Sequence, residues 1–363
     1  MNRPILAILT ESLRYDNQHP LAYFNKIKPV HFYNNAPYGD LSAGDLKAAI
    51  KYESLKDLEK KLLELKPDII QGAEPYGSKK QLGLCYVAWR VSRRLNIPLI
   101  FGMLENRPVK ERFGLVLSRM LKKVLAAYAT QASLIFFLNE GAKRNLLEVG
   151  ADQAKLKKLL YGIWGIDTSI FRPKKMTPLG CKNGGKILFV GRIDEAKGIP
   201  YLLEAFKIVR QDYPNIKLVM AGKGEMEDKV KNKEKIGIKY IGMQKNKELP
   251  ALFNQALFTV YPSVTLKRWE EQVGMVNLQS LACGTPVITT KSGAIPEYIN
   301  SRVGVLVPER DSKALAEAMR KLLSNEQYRS RLGQAGREYI LENFDAQETI
   351  QKTEEILLEL IKD

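Results

Sequence analysis

Two stretches of this 363-residue chain carry side chains suited to gripping a phosphate and a polyhydroxyl ligand. The first is Gly191-Arg192-Ile193-Asp194-Glu195-Ala196-Lys197-Gly198, between an apolar run, Ile187–Val190, and a helix-period stretch, Tyr201–Arg210. An arginine offers a planar fork to phosphate oxygens and a lysine a point charge, and flanking glycines let backbone approach a ligand. In open sheets of parallel strands, ligands settle at this carboxyl end of the strands. The same segment also reads as a solvated turn in which Arg192 pairs with Asp194 or Glu195. The second stretch follows Pro262-Ser263 and runs from Trp269-Glu270-Glu271 through Gly274-Met275-Val276-Asn277-Leu278-Gln279 to Ala282-Cys283-Gly284-Thr285-Pro286. Gly274 stands where a loop enters a helix over Met275–Cys283, so free amides at that terminus can meet an anion. Glu271 lies before the turn and Gln279 about one and a half turns beyond it. A carboxylate accepts two sugar hydroxyls, whereas an amide accepts one and donates to another. Glu271 also reads as a first-turn charge favoured by the helix dipole.

The elements needed to position these residues are visible as alternation. Strand-length apolar runs at Ile5–Leu9, Val30–Tyr33, Asp68–Gln71, Leu99–Gly102 and Leu134–Leu138 are separated by segments of helical period. A second series follows at Ile187–Val190, Lys217–Ala221, Lys239–Ile241, Phe258–Tyr261, Val287–Thr290 and Val305–Val307. Such alternation makes parallel sheets covered by helices on both faces, so the expected class is α/β with two doubly wound, Rossmann-like domains. The Pro- and Gly-bearing stretch Asp167–Gly185 reads as the connection. We expect an N-terminal domain over 1–170 and a C-terminal domain over 171–345. A final helix over about 346–363, with Asp345 at its N-cap, is free to pack back on the first.

Composition narrows the classes. Three scattered cysteines, Cys85, Cys181 and Cys283, make neither a disulfide frame nor a zinc site and fit a reducing cytoplasm. The opening apolar run is too short for a signal or a membrane span. The net charge is +17, and the residues through Arg172 carry 27 cations against 16 acids. That surplus suits an anionic headgroup, nucleic acid or a phosphorylated substrate, or is simply a solubilising choice of lysine. Zinc-finger spacing, RNP aromatics and a helix-turn-helix are not evident, so nucleic acid is not expected as a partner. Between Arg107 and Tyr128 six cations interleave with Phe113, Leu115, Val116, Leu117, Met120, Leu121, Val124 and Leu125. One basic amphipathic helix there suits an anionic membrane surface, or its apolar residues are ordinary core and its cations a solvated face.

Taken together and in order, several of these pieces resemble the GT-B glycosyltransferases, specifically the retaining family four (glycosyl transferases group 1). They are Gly-Arg-x4-Lys-Gly, Pro262-Ser263 before the acidic segment, the Glu271-x7-Gln279 stretch running into Ala-Cys-Gly-Thr-Pro-Val, and Ser292-Gly293-Ala294-Ile295-Pro296-Glu297. Tyr161–Pro173 is similar to that family's interdomain segment, while resemblance over residues 1–160 is loose. The resemblance implies a metal-independent enzyme without a cofactor that moves a sugar from a nucleotide-sugar donor to a hydroxyl of a glycan or lipid-linked acceptor, with retained configuration. It implies that Arg192 and Lys197 hold the donor diphosphate, that Glu271 binds hydroxyls of the transferred sugar, and that the Gly191 turn and the Gly274, Met275 and Val276 backbone face sugar and phosphate. Base contacts are expected near Ile241 and Met243. The family's ribose-binding glutamate falls at Gln279, which keeps hydrogen bonds but loses charge assistance, at a cost of about 1–2 kcal/mol. That departure keeps a second reading open, a nucleotide-sugar-binding protein with impaired or no turnover. In the first domain Glu74, Glu105 and Asn106 stand at strand ends as acceptor-side residues or as caps, and neither His19 nor His31 stands where the family's first-domain histidine is found. A cytoplasmic protein, at most peripheral at the inner membrane face, is the expected location.

Overall fold

The computed structural model describes residues 3–36, 40–160, 164–174 and 185–362. Cys181, residues 161–163 of the interdomain-like segment and residues 175–184 of the expected connection lie outside them. The chain forms two compact units, Met1–Gly165 with Ala346–Asp363, and Ile166–Asp345.

The first unit holds strands β1 (Ile5–Leu9), β2 (Lys28–Tyr33), β3 (Ile50–Lys51), β4 (Ile69–Gly72), β5 (Leu99–Met103), β6 (Leu134–Phe137) and β7 (Leu156–Lys158). They pair in parallel in the order β3-β2-β1-β4-β5-β6-β7. Successive side chains of a strand point to opposite faces, and here both faces are dry. Ala7, Leu9, Phe101 and Phe137 enter one core with Leu84, Val91, Leu121 and Leu125 of the helices Lys79–Leu95 and Leu115–Gln131. Leu6, Ile8, Ile100 and Phe136 enter the other, with Trp164 and with Ile350 and Leu357 of the last helix, Ala346–Lys362. Continuous apolar runs were the reason the central strands could be read. The edge strands β3 and β7 escaped that reading because they are two and three residues long and carry Lys51, Lys157 and Lys158.

The second unit holds β8 (Lys186–Val190), β9 (Lys217–Ala221), β10 (Ile238–Gly242), β11 (Phe258–Tyr261), β12 (Val287–Thr290) and β13 (Gly304–Val307), in the parallel order β10-β9-β8-β11-β12-β13. Both units therefore have the doubly wound arrangement, with β1 flanked by β2 and β4 and β8 flanked by β9 and β11. That is the point where strand order reverses and ligands are received.

One expected element is corrected. The basic stretch is not one helix: it divides into Val109–Phe113 and Leu115–Gln131 at Gly114, whose φ of +77° an α-helix does not accept.

Candidate functional site

The loop leaving β8 is set by the backbone. The Ile193 amide donates to the Lys223 carbonyl at 2.9 Å, and Asp194 Oδ1 accepts from the Lys197 amide at 3.0 Å. Gly198 then caps the helix Ile199–Asp212, which begins two residues earlier than its period suggested because Pro200 is tolerated in a first turn. Glycine is required there on two counts. Its φ is +69°, and a Cβ would lie 1.8 Å from the Pro262 carbonyl oxygen of the neighbouring β11 loop. The two loops thus touch, which draws Lys197 toward the segment after β11.

Across that contact Lys197 Nζ forms an ion pair with Glu271 Oε1, and both side chains are mostly enclosed. Ser263 Oγ donates to the same carboxylate oxygen at 2.7 Å, and the Ser263 carbonyl accepts from the Thr290 hydroxyl. The Glu271 carbonyl accepts from the Ala294 amide at 2.8 Å. Glu271 is therefore held by residues following β8, β11 and β12, at the carboxyl ends of three adjacent strands. Arg192 pairs with Asp194 at 2.9 Å and its side chain is 58% exposed, so this cation is already near a carboxylate yet open to solvent. The pairing of Arg192 with Asp194 that the solvated-turn alternative expected is thus present. A phosphate would compete for both cations with carboxylates already in place.

Gly274 turns the chain into the helix Met275–Ala282 with φ +77° and provides no side-chain cap, so the first amides, at Met275 and Val276, have no intrahelical acceptor. Gln279 is buried on the same helix. Asn277 is buried beside the Gly274 turn, and its Oδ1 has no hydrogen-bond partner among the described residues. Sequence reasoning gave that residue no role. Its signal was a polar side chain among apolar neighbours on a short buried helix. Ile241 lies at the end of β10 and Met243, exposed, just beyond it, and both carbonyls accept from Gln244 Nε2.

In the first unit Glu74 and Glu105 follow β4 and β5, as expected, but their oxygens serve the chain itself. Glu74 Oε1 accepts from the Leu104 and Glu105 amides at 2.9 and 2.6 Å, and desolvation pushes its carboxyl up to about 7. Glu105, 3% exposed, pairs with Arg112 and accepts from the Arg107 amide. Asn145 Nδ2 donates to the Glu105 and Arg107 carbonyls, fixing the loop on either side of the buried Asn106. These contacts hold the loop together. His31 is buried on β2, its Nδ1 2.6 Å from Gln18 Oε1, and burial lowers its pKa to about 3.

Residues 172–339 match the family of glycosyl transferases group 1. Over 179 residues the chain is 30% identical to a glycogen synthase of Mycobacterium tuberculosis, covering 48% of this chain and 42% of that one. Over 169 residues it is 30% identical to the capsular polysaccharide biosynthesis glycosyltransferase CapM of Staphylococcus aureus, covering 44% and 42%. The chain thus spans about half the length of the curated relatives it matches. Its fold is similar to that of Anabaena HepE, solved in complex with UDP, with a TM-score of 0.74 over 98% of this chain and 100% of that one at 16% identity. It is equally similar to sucrose-phosphate synthase from Thermosynechococcus elongatus, with a TM-score of 0.74 over 99% and 100% at 17% identity. Two parallel-sheet, Rossmann-like domains of this kind are the GT-B fold.

Proposed function

We propose that this chain, which over residues 172–339 matches the group 1 glycosyl transferases, moves a sugar from a nucleotide-sugar donor to a hydroxyl acceptor and keeps the anomeric configuration. The observation that carries this reading is the meeting of Arg192, Lys197 and Glu271 at the carboxyl ends of neighbouring strands, beside the uncapped helix start at Gly274. In the proposed reaction the acceptor oxygen bonds to the anomeric carbon as the bond from that carbon to the phosphate oxygen breaks, on the same face. The acceptor proton passes to a phosphate oxygen of the departing nucleoside diphosphate. Arg192, Lys197 and the Met275 and Val276 amides offset the charge that develops on that diphosphate, so positioning and electrostatics supply the acceleration and no metal is required. On donor binding Glu271 exchanges Lys197 for sugar hydroxyls. Gln279 takes the ribose, and backbone near Ile241 and Met243 takes the base.

For the acceptor we propose a glycan or a lipid-linked sugar met at an anionic membrane surface on the cytoplasmic side. Leu115, Val116, Leu117, Met120 and Val124 of the helix Leu115–Gln131 are exposed, Val116 to 86%, and Arg119, Lys122 and Lys123 lie among them. No helix among the described residues is long and apolar enough to cross a membrane. Exposed apolar residues mixed with cations suit an interfacial helix.

The test is thermal shift against UDP-, GDP- and ADP-sugars with Arg192→Ala as control, followed by product detection. A donor at about 100 times its Kd adds about 2.7 kcal/mol of stability. A shift that the variant loses, together with product, is the expected result. A shift without product favours a binding protein that does not turn over. No shift with any donor rejects the donor site.

A further inference from the structure

Trp269 stands over both proposed phosphate-holding cations, a placement with no counterpart in the sequence argument. Its ring centroid is 4.6 Å from Lys197 Nζ and 5.6 Å from the Arg192 guanidinium carbon. Two like charges converging on one ring repel each other, and an aromatic face is the neutral surface that attracts both without competing for their hydrogen-bond donors. The ring's position is built. Leu266 and Trp269 pair across a tight turn, with the Leu266 amide 2.8 Å from the Trp269 carbonyl. That turn is pinned at its base by Glu309, which accepts from the Thr265 amide at 2.6 Å and from its hydroxyl at 2.7 Å, while Arg310 donates to the Thr265 carbonyl.

We propose that Trp269 is a positioning residue that holds the Arg192 and Lys197 side chains side by side while their carboxylate partners, Asp194 and Glu271, are exchanged for a nucleoside diphosphate. This deepens the donor-site reading and rests on it. Without the ring, the released cations would disperse into solvent, and the loss would fall on the diphosphate and not on the nucleoside part of the ligand. Glu309 sets the ring's height by fixing the turn.

The test uses the full chain. Calorimetric binding is measured for UDP, GDP and ADP and for the matching nucleosides, in wild type and in Trp269→Leu, Trp269→Phe and Glu309→Gln. For the diphosphate that wild type binds, Trp269→Leu should weaken affinity at least tenfold and leave the nucleoside within threefold. Trp269→Phe, which keeps a ring face, should stay within threefold for both. Glu309→Gln should reproduce the selective loss with the tryptophan still present. Equal loss of diphosphate and nucleoside in Trp269→Leu, Phe behaving as badly as Leu, or Leu behaving as wild type each overturns the inference while wild-type binding keeps the donor reading intact. If wild type binds none of the three diphosphates, the donor reading itself fails and the inference falls with it.

Discussion

Lys197 and Glu271 are 74 residues apart in sequence yet form one ion pair, because Gly198 lets the β8 loop rest against the Pro262 carbonyl. What was legible here was the ordered set of residue types, Arg192, Lys197 and Glu271. The contacts that hold them, Ser263 on Glu271, Thr290 on Ser263 and Trp269 over the two cations, were not, since only folding brings loops after different strands together. Gln279 offers a quantitative check. Restoring a carboxylate with Gln279→Glu should tighten nucleoside diphosphate binding by about 1–2 kcal/mol, roughly 5–30-fold, because charge assistance returns to bonds with a diol. Titration of UDP, GDP and ADP reads this directly, and unchanged affinity removes position 279 from the ribose. Glu74 gives the second check. Its carboxyl is raised to about 7 in the folded chain from an ordinary value near 4.5, so folding favours the protonated form. Stability from this group is full below about 4.5, falls as pH rises toward about 7, and is flat above. His31 acts oppositely, because its folded pKa is lowered to about 3, and its contribution is full above about 6.5 and is lost as pH falls below that. Glu74→Gln keeps an acceptor for the Leu104 and Glu105 amides and cannot ionise. We expect it to gain about 1–2 kcal/mol over wild type at pH 8 and nothing at pH 4.5, the full shift being discounted for the partial exposure of the side chain. Denaturant midpoints across pH decide it, and a gain independent of pH would contradict the assignment.

At the scale of elements, the central strands could be read because a parallel sheet buried on both faces demands unbroken apolar runs, and Ile5–Leu9 and Leu134–Phe137 supply them. Helix Leu115–Gln131 shows where that logic ends. Ser118, Leu121, Leu125 and Tyr128 are buried at helical spacing, yet Leu115, Val116, Leu117, Met120 and Val124 are apolar too, so hydropathy alone could not say which face was the core. Nor could it foresee the break at Gly114, where only φ distinguishes two helices from one. The exposed residues make a prediction that separates surface from core. Replacing Val116, Leu117 and Met120 together by serine should change folding stability by less than about 0.5 kcal/mol per site, the usual range for surface positions. The same replacement should reduce flotation with phosphatidylserine vesicles at least tenfold. Wild-type flotation should also weaken as salt is raised, since cations among the apolar residues contribute by a screened attraction. A wild-type chain that does not float with anionic vesicles at low salt refutes the membrane surface.

For the molecule as a whole, the consequential feature is that the chain's last helix belongs to its first unit. Ile350 and Leu357 complete the apolar layer over Leu6, Ile8 and Phe136, and between them Glu354 accepts the Asn25, Lys26 and Ile27 amides at 3.0, 2.7 and 2.8 Å. Three successive amides converging on one carboxylate oxygen, 4% exposed as a residue, tie the end of the chain to the loop before β2. The sequence showed the helix by its period but not where it docks, because a stripe of Ile and Leu fits any apolar face. Glu354 is the residue that specifies the place. Glu354→Ala would strip the three amides of their acceptor while leaving them enclosed, and we expect a loss of about 3 kcal/mol from the first unit. Glu354→Gln, which keeps one carbonyl acceptor, should recover about half of that. Because each of these contacts lies within residues 1–165 and 346–363, the stabilisation by a bound nucleotide-sugar, which the proposed site draws from residues 166–345, should be the same in both variants as in wild type. Calorimetric melting with and without donor reads both effects at once. Equal losses for Ala and Gln would show that the carboxylate is not the anchor, and a donor effect that disappears with Glu354 would show that the last helix supports donor binding as well as the first sheet.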